Sequence, residues 1–549
     1  MDFSVAVSNF SMHPLEHLYA KGDFYVGVTP ISDHQGNWRN YALGVTTERH
    51  ALTIAGTRTG KGAGVIIPNL KLWPHNALVI DPKGEAVKAT APDREALGQS
   101  VHVIDPFETK GIPEKYRASY NPLADLNIDA QTIKEDITTI SDGIIMRPNA
   151  EAEHWDSGAQ RILSGLIAYA LLELKPHEQN LIEIRAIIRD EERFASVVEK
   201  MKTLDGCEGL TQAGASAVWA KEGGYFVSNL DKNTEWLDSR AMQKSLSKSS
   251  FSMRDLKRED TSIYLVLPPK YVAQHGRFLR LFVRCGIDVM SDDDVPNERR
   301  CLFMLDEFFT LGYIDEIAKA AGLMAGYGLQ MWIILQNLGQ LTSLYGHDGA
   351  ETFFGNSDIH QFFGNRDPQS LRWVSEQIGS YDLEDLPNEP TYEESQKALG
   401  FNERQAKYQA KHDEAMKNRD SEGAKLQSGH MIDLSGFVDR LHNERLSQFQ
   451  NDASRKLGKP RISSQQVSHL VRKEPRIDPL ALAMVVFTGQ RRPLIAKLGA
   501  HWEMDNIIWD MSPTEIYEWA KEPEKQEEPM AEEPIAEKPK ESFWKGFFD

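Results

Sequence analysis

"ALTIAGTRTGKGAGVIIPNL", Ala51–Leu70, decides how the rest of this sequence is read. Its apolar opening reads as a strand, its glycine-rich middle as a phosphate-cradling loop and its close as a helix, the context that the pattern G-x-x-x-x-G-K-[ST] requires. Two positions depart from that pattern. Ala55 stands in place of the first glycine, and Gly62 in place of the magnesium-binding hydroxyl. Such a loop works mainly through backbone N–H groups and the dipole of the following helix, neither of which depends on side-chain identity. Gly56, Thr57, Arg58, Thr59, Gly60, Lys61, Gly62 and Ala63 are therefore the expected nucleotide-binding residues, with Lys61 reaching the β- and γ-phosphates. Without a hydroxyl at 62, the metal position falls to a water or to Thr59.

Working outward, short apolar runs that end in acidic or turn residues recur. They are "NALVID", "VHVID", "SIYLVL", "CLFMLDE", "LQMWIIL" and "IHQFF", with "AMVVFT" and "PLIAKL" late in the chain. Continuous apolar runs fit strands covered on both faces, so an α/β domain with a mostly parallel sheet is expected. "CLFMLDEF" sets Asp306 and Glu307 side by side at the end of such a strand. In nucleotide hydrolases of this kind the Asp orients the magnesium shell and the Glu polarises the attacking water.

At 549 residues the chain is too long for one core, and a formal net charge of -19 argues against a protein whose outer surface coats DNA. Any nucleic acid would meet a local basic lining. The candidate is "SRAMQKSLSKSSFSMRDLKRED", Ser239–Asp260, which gathers Arg240, Lys244, Lys248, Arg254, Lys257 and Arg258. Lys244 and Lys248 are expected on one helix face; the plainer reading is a solvated face. Cys207, Cys285 and Cys301 are far apart and lack metal-ligand spacing, so a reduced, cytoplasmic setting is expected. No apolar run reaches the length of a membrane span, and no export signal is visible.

The stretches "TRTGKGAGVIIPNLKLWPHNALVIDPKGE", "SYNPL", "TSIYLVLPP", "FMLDEFFTLG", "ILQNLGQLTSLYG" and "FFGNRDPQSLRWVSEQIG" resemble, in order, the successive motifs of TraG/TraD-like coupling ATPases of type IV secretion and conjugation. The GKG form of the loop occurs in that family too. The resemblance implies a RecA-like P-loop nucleotide-binding domain of the FtsK–HerA superfamily, interrupted by an inserted all-α domain. It also implies assembly as a homo-hexamer that uses ATP and Mg2+ to deliver DNA, or a relaxase–DNA complex, to a type IV secretion channel. By matching position, Lys61 would bind phosphate, Asp306 magnesium and Glu307 the water, while Gln336 would sense the γ-phosphate. Asp81, Lys83 and Glu85 would face the same crevice, or simply cap a strand-to-helix turn. Ring motors commonly take an arginine from the neighbouring subunit; Arg366 is the candidate and Arg372 the reserve.

On this reading the chain divides into a lead segment (1–48), a nucleotide-binding part (49–125), an all-α domain (126–250) and a second nucleotide-binding part (251–385). A charged helical appendage (386–476), a return to the nucleotide-binding domain (477–511) and an acidic, Pro-rich tail with an aromatic end (512–549) complete it. Most relatives begin with transmembrane helices. Here a separate membrane-anchor subunit is expected to hold the protein at the inner face of the membrane, with the appendage or the "FWKGFF" tail as its handle. Two rivals share these features: a soluble DNA translocase or packaging motor without a channel, and a nucleotide-binding adaptor that recruits protein substrates.

Overall fold

A computed structural model of the chain describes residues 12–32, 35–145, 153–291, 299–380, 389–418, 420–456, 463–471, 483–488, 493–509 and 511–520. The described strands are β1 (Phe24–Ser32), β2 (Trp38–Val45), β3 (His50–Ala55), β4 (Asn76–Ile80), β5 (Ser100–Ile104) and β6 (Thr261–Leu265). They continue with β7 (Cys301–Leu305), β8 (Leu329–Leu335), β9 (Ser357–Phe363), β10 (Ala483–Phe487), β11 (Leu494–Lys497) and β12 (Ile507–Ile508). All form one sheet in the order β12-β2-β1-β11-β10-β9-β3-β8-β7-β4-β6-β5.

From β9 to β5 every neighbouring pair is parallel. The cause is visible in the composition. The inner strands β4, β7 and β8 are buried along their whole length, as expected where helices cover both faces of a parallel sheet. Their register aligns the strand ends. Ala55 pairs with Phe363, Ile54 with Leu335, Leu305 with Ile333, and Ile80 with Leu305. The residues that follow β3, β4, β7, β8 and β9 therefore leave the sheet along one edge, where open α/β sheets place ligands. A buried chain of hydrogen bonds fixes three of these strands laterally. Trp332 Nε1 donates to Thr53 Oγ1 at 2.8 Å, and Thr53 Oγ1 donates to Gln361 Oε1 at 2.8 Å.

The lead segment turns out to be structural. It supplies β1 and β2, which pair antiparallel with each other, and β1 joins β11. The expectation of a plain lead missed these strands because Gly27 and Pro30 interrupt the apolar pattern of β1. Gly27, at φ +132, is there for space: a Cβ would lie 2.6 Å from Met484 Cε and 2.7 Å from the Lys497 carbonyl. Asn69, on the helix Ile67–Leu72 that follows the glycine-rich loop, clamps β1 from the side. Its Oδ1 accepts from the Tyr25 N–H and its Nδ2 donates to the Tyr25 carbonyl, both at 2.9 Å.

Between β5 and β6 the described chain is helical from Ile133 to Arg258 apart from short turns. Its central helix, Glu153–Glu173, packs backbone to backbone on Leu210–Val218, since a Cβ on Gly165 would lie 3.0 Å from the Gly214 Cα. The helix Pro269–Ser291 meets Ile133–Ile144 just as closely, with Gly143 against the Leu281 Cα at 3.1 Å. The chain forms two compact units, and sheet and helical segment belong to the same one, which runs to Leu371 and resumes at Ser468.

The second unit, Arg372–Val467, is built from the helices Tyr392–Ala398, Phe401–Lys417 and Ser421–Lys456. Thr391 and Glu394 form a capping box at the start of the first. Phe401–Lys417 buries none of its residues, which fits its charge-rich sequence. The "FWKGFF" tail lies outside the described residues.

Candidate active site

The glycine-rich loop leaves β3 at Ala55, which is fully buried inside the strand, so nothing there demands glycine. The close approach has moved one residue on. A Cβ at Gly56 would lie 2.4 Å from the Gly364 carbonyl oxygen at the end of β9, so only glycine fits. Arg58 (φ +60) and Gly60 (φ +94) take left-handed conformations that fold the loop back on itself. It then enters a wide helical turn, Gly62–Ile66, that continues into Ile67–Leu72. Gly62 faces open space, with nothing within 4 Å of a Cβ built on it.

Thr59, expected to serve a metal, makes a bond within the loop. It is 5% exposed, and its hydroxyl donates to the Gly56 carbonyl at 2.7 Å. That bond tightens the loop and gives the Thr59 hydroxyl a loop-shaping part.

Opposite the loop, the ends of β7 and β8 bring three of the expected residues together. Lys61 Nζ lies 3.9 Å from Glu307 Oε1. Gln336 Nε2 donates to Glu307 Oε1 and Oε2 at 3.2 and 2.9 Å, and Gln336 Oε1 accepts from Thr57 Oγ1 at 3.2 Å. One amide thus ties the acid to the loop. Gln336 is itself held through its backbone N–H, which donates to Gln340 Oε1 at 2.8 Å. Glu307 sits at φ +54, an uncommon conformation for a side chain with a Cβ and one that clusters at functional sites.

Asp306 precedes it, and its Oδ1 accepts from the Glu307 N–H at 3.0 Å. Burial lifts the Asp306 carboxyl to about 6, with the Lys61 ammonium pulling it down and the Glu307 and Asp81 charges pushing it up. A carboxyl held at such a value is poised to bind a cation, whose charge would replace the proton.

Asp81 caps the next helix, and its charge also reaches Asp306. Its Oδ1 and Oδ2 accept from the N–H groups of Glu85 and Val87 at 3.1 and 2.9 Å, which caps the helix Glu85–Ala96. Lys83 and Glu85 are exposed beside it. Arg366 is exposed two residues beyond Gly364, on the loop that abuts Gly56 and Thr59. Arg372 is exposed and opens the second unit.

In the basic stretch the structure overturns the expected helix-face pairing of two lysines. The helix Arg240–Leu246 ends before Lys248, so Lys244 and Lys248 do not share a helix face. Lys244 is spent on an exposed ion pair with Glu108. Lys257 is 2% exposed and cannot meet a ligand at the surface, while Arg254 is half-buried. Arg240, Lys248 and Arg258 remain exposed. What the sequence reading missed is the Gly364–Asn365 turn behind Arg366; its signal was a Gly-Asn pair directly after an apolar strand, in "FFGNRDP".

Residues 15–411 match the family described as "Type IV secretory system Conjugative DNA transfer". A conjugal transfer protein TraG of Escherichia coli is 27% identical over 329 residues, covering 55% of this chain and 51% of that protein. The protein VirD4 of Agrobacterium fabrum is 26% identical over 345 residues, 60% of this chain and 50% of its own length. The chain thus spans about half the length of these relatives. A plasmid coupling protein TrwB, solved with a non-hydrolysable ATP analogue, has the same fold at a TM-score of 0.53 and 14% identity, over 90% of this chain and 96% of that one. With more than half of its residues inside the family match, the protein belongs to the type IV secretory system family of conjugative DNA transfer.

Proposed function

We propose that this protein is an ATP-hydrolysing coupling motor, which delivers DNA or a relaxase–DNA complex to a type IV secretion channel. The observation that carries the proposal is the convergence of Lys61, Glu307 and Gln336 with Asp306 on one edge of the sheet, beside a loop whose backbone bends as phosphate loops do. Relatives named for conjugal transfer, and a TrwB neighbour solved with ADP and Mg2+, support the same reading.

The residues suit the groups they would hold. Magnesium is typically bound through one or two carboxylates, several waters and substrate phosphates; Asp306 supplies the carboxylate, and the open space around Gly62 leaves room for water. When bound, ATP with Mg2+ supplies the phosphoanhydride bond whose hydrolysis drives movement. Lys61 Nζ, at 3.9 Å only loosely paired with Glu307, is free to turn to phosphate oxygens. Glu307 then has a carboxylate available to take a proton from water, held in place by the Gln336 amide. Gln336, bonded to both Thr57 and Glu307, links the loop to the acid and so can register a γ-phosphate between them. On this proposal Arg366, exposed beside the glycine-rich loop, would act on a neighbouring subunit of a homo-hexameric ring.

No helix among the described residues is long and apolar enough to cross a membrane; on this proposal a separate anchor subunit ties the motor to the channel. The test is ATPase rate with and without DNA for the wild type, Lys61→Ala and Glu307→Gln, together with electron micrographs of the protein with an ATP analogue and DNA. DNA-stimulated hydrolysis lost in both variants, and rings threaded by DNA, are expected. Hydrolysis unaffected by DNA, or persisting in Lys61→Ala, would refute the motor and favour an adaptor.

A further inference from the structure

Asn365 stands out among the described residues in its hydrogen bonding. It is 2% exposed, and among those residues neither its Nδ2 nor its Oδ1 has a partner. A buried amide without partners costs folding free energy, so a protein that keeps one calls for an explanation outside stability.

Its position supplies one. Gly364, just before it, lies at φ +64, and a Cβ there would fall 2.1 Å from Thr59 Cγ2; the Gly364 N–H donates to the Val471 carbonyl at 2.8 Å. Two residues after it, Asp367 Oδ1 accepts from the Ser370 N–H at 2.8 Å, and Ser370 Oγ accepts from the Leu338 N–H at 3.0 Å. The turn Gly364–Asp367 is therefore wedged at one end against the glycine-rich loop and linked at the other to the chain two residues past Gln336. Asn365 lies at its centre, next to the exposed Arg366. A shift of either flank on nucleotide binding would pass through this residue.

We propose that Asn365 is a positioning residue for ATP hydrolysis: its amide, unpartnered within the described chain, is reserved for hydrogen bonds made when nucleotide occupies the loop, and those bonds set where Arg366 stands. The inference rests on the nucleotide reading above.

It is tested on the full-length protein with Asn365→Leu, close in shape but unable to hydrogen-bond, and Asn365→Ser, which keeps a donor and an acceptor. Melting temperature is measured without nucleotide and with a saturating non-hydrolysable ATP analogue plus Mg2+, and kcat and KM are measured with ATP. Removing an unsatisfied buried amide should leave the melting temperature without nucleotide equal to the wild type or higher. The analogue-induced rise should shrink in Asn365→Leu, and kcat should fall roughly tenfold for each hydrogen bond lost, with Asn365→Ser in between. A melting temperature several degrees below wild type without nucleotide would make Asn365 an ordinary packing residue and overturn the proposal. So would an unchanged kcat with an unchanged analogue-induced rise. If the wild type itself showed no rise with the analogue, the nucleotide reading would fail first, which separates the two failures.

Discussion

Replacing Asp306 by Asn is expected to make the metal-free protein more stable at neutral pH while abolishing its ATPase activity. Burial lifts this carboxyl from 3.8 to about 6, which disfavours the ionised form by about 3 kcal/mol at roughly 1.4 kcal/mol per tenfold. Asp306 is only half-buried, so water screens part of that cost and about 1–2 kcal/mol is the expected net effect. The folded state holds the proton more tightly than the unfolded chain, so the penalty is full above pH 6, shrinks as pH falls toward 3.8, and is gone below it. An Asn cannot ionise and escapes the penalty throughout.

The assay is thermal unfolding in EDTA at several pH values from neutral down to moderately acid, on wild type and Asp306→Asn. For a unit of this size the variant should melt about 1–4 °C higher at neutral pH, with the gain fading as the solution is acidified. A variant that melts lower at neutral pH, or whose advantage does not shrink with acid, would refute the account of this carboxyl. ATPase activity retained in the variant would refute its assignment to magnesium.

Three further outcomes are expected. Gly62→Ser places a Cβ where nothing lies within 4 Å, so melting should be unchanged while the Mg2+ concentration for half-maximal hydrolysis falls; a destabilised variant would show that the turn has no room. Lys257→Glu reverses the charge at a 2%-exposed site and should cost about 3 kcal/mol or more in denaturant unfolding, whereas Lys248→Glu, on the surface, should stay within about 0.5 kcal/mol and flatten the salt dependence of DNA binding only if that lysine meets phosphate. Mixing Arg366→Ala chains with Glu307→Gln chains should restore part of the hydrolysis if Arg366 acts across a subunit boundary, and recovery at no ratio would place it within its own subunit.

Much of the sheet could be read in advance because its strands are buried on both faces. Runs such as "LQMWIIL" and "CLFMLDE" must be apolar throughout to lie in a covered parallel sheet, and that demand is written locally. Strands β1 and β2 escaped notice although they pair with each other, because Gly27 and Pro30 break the apolar run of β1 and Gly27 answers to Met484 and Lys497, far along the chain, rather than to its neighbours. The basic stretch misled for a related reason. Charge can be counted along a chain, but whether Lys257 is buried or Lys244 is neutralised by Glu108 depends on what the fold brings against it.

By itself the sequence determined the chemical parts: a loop able to wrap phosphate, a lysine, two adjacent acids and a glutamine, each at the end of an apolar run. Tertiary structure decided their use. Strand register alone sets Lys61 within reach of Glu307 and Gln336, although more than 200 residues separate it from them. Packing bonded the Thr59 hydroxyl within the loop and made Gly56 indispensable through contact with Gly364. Composition and spacing act over a few residues, whereas burial and pairing belong to the assembled sheet.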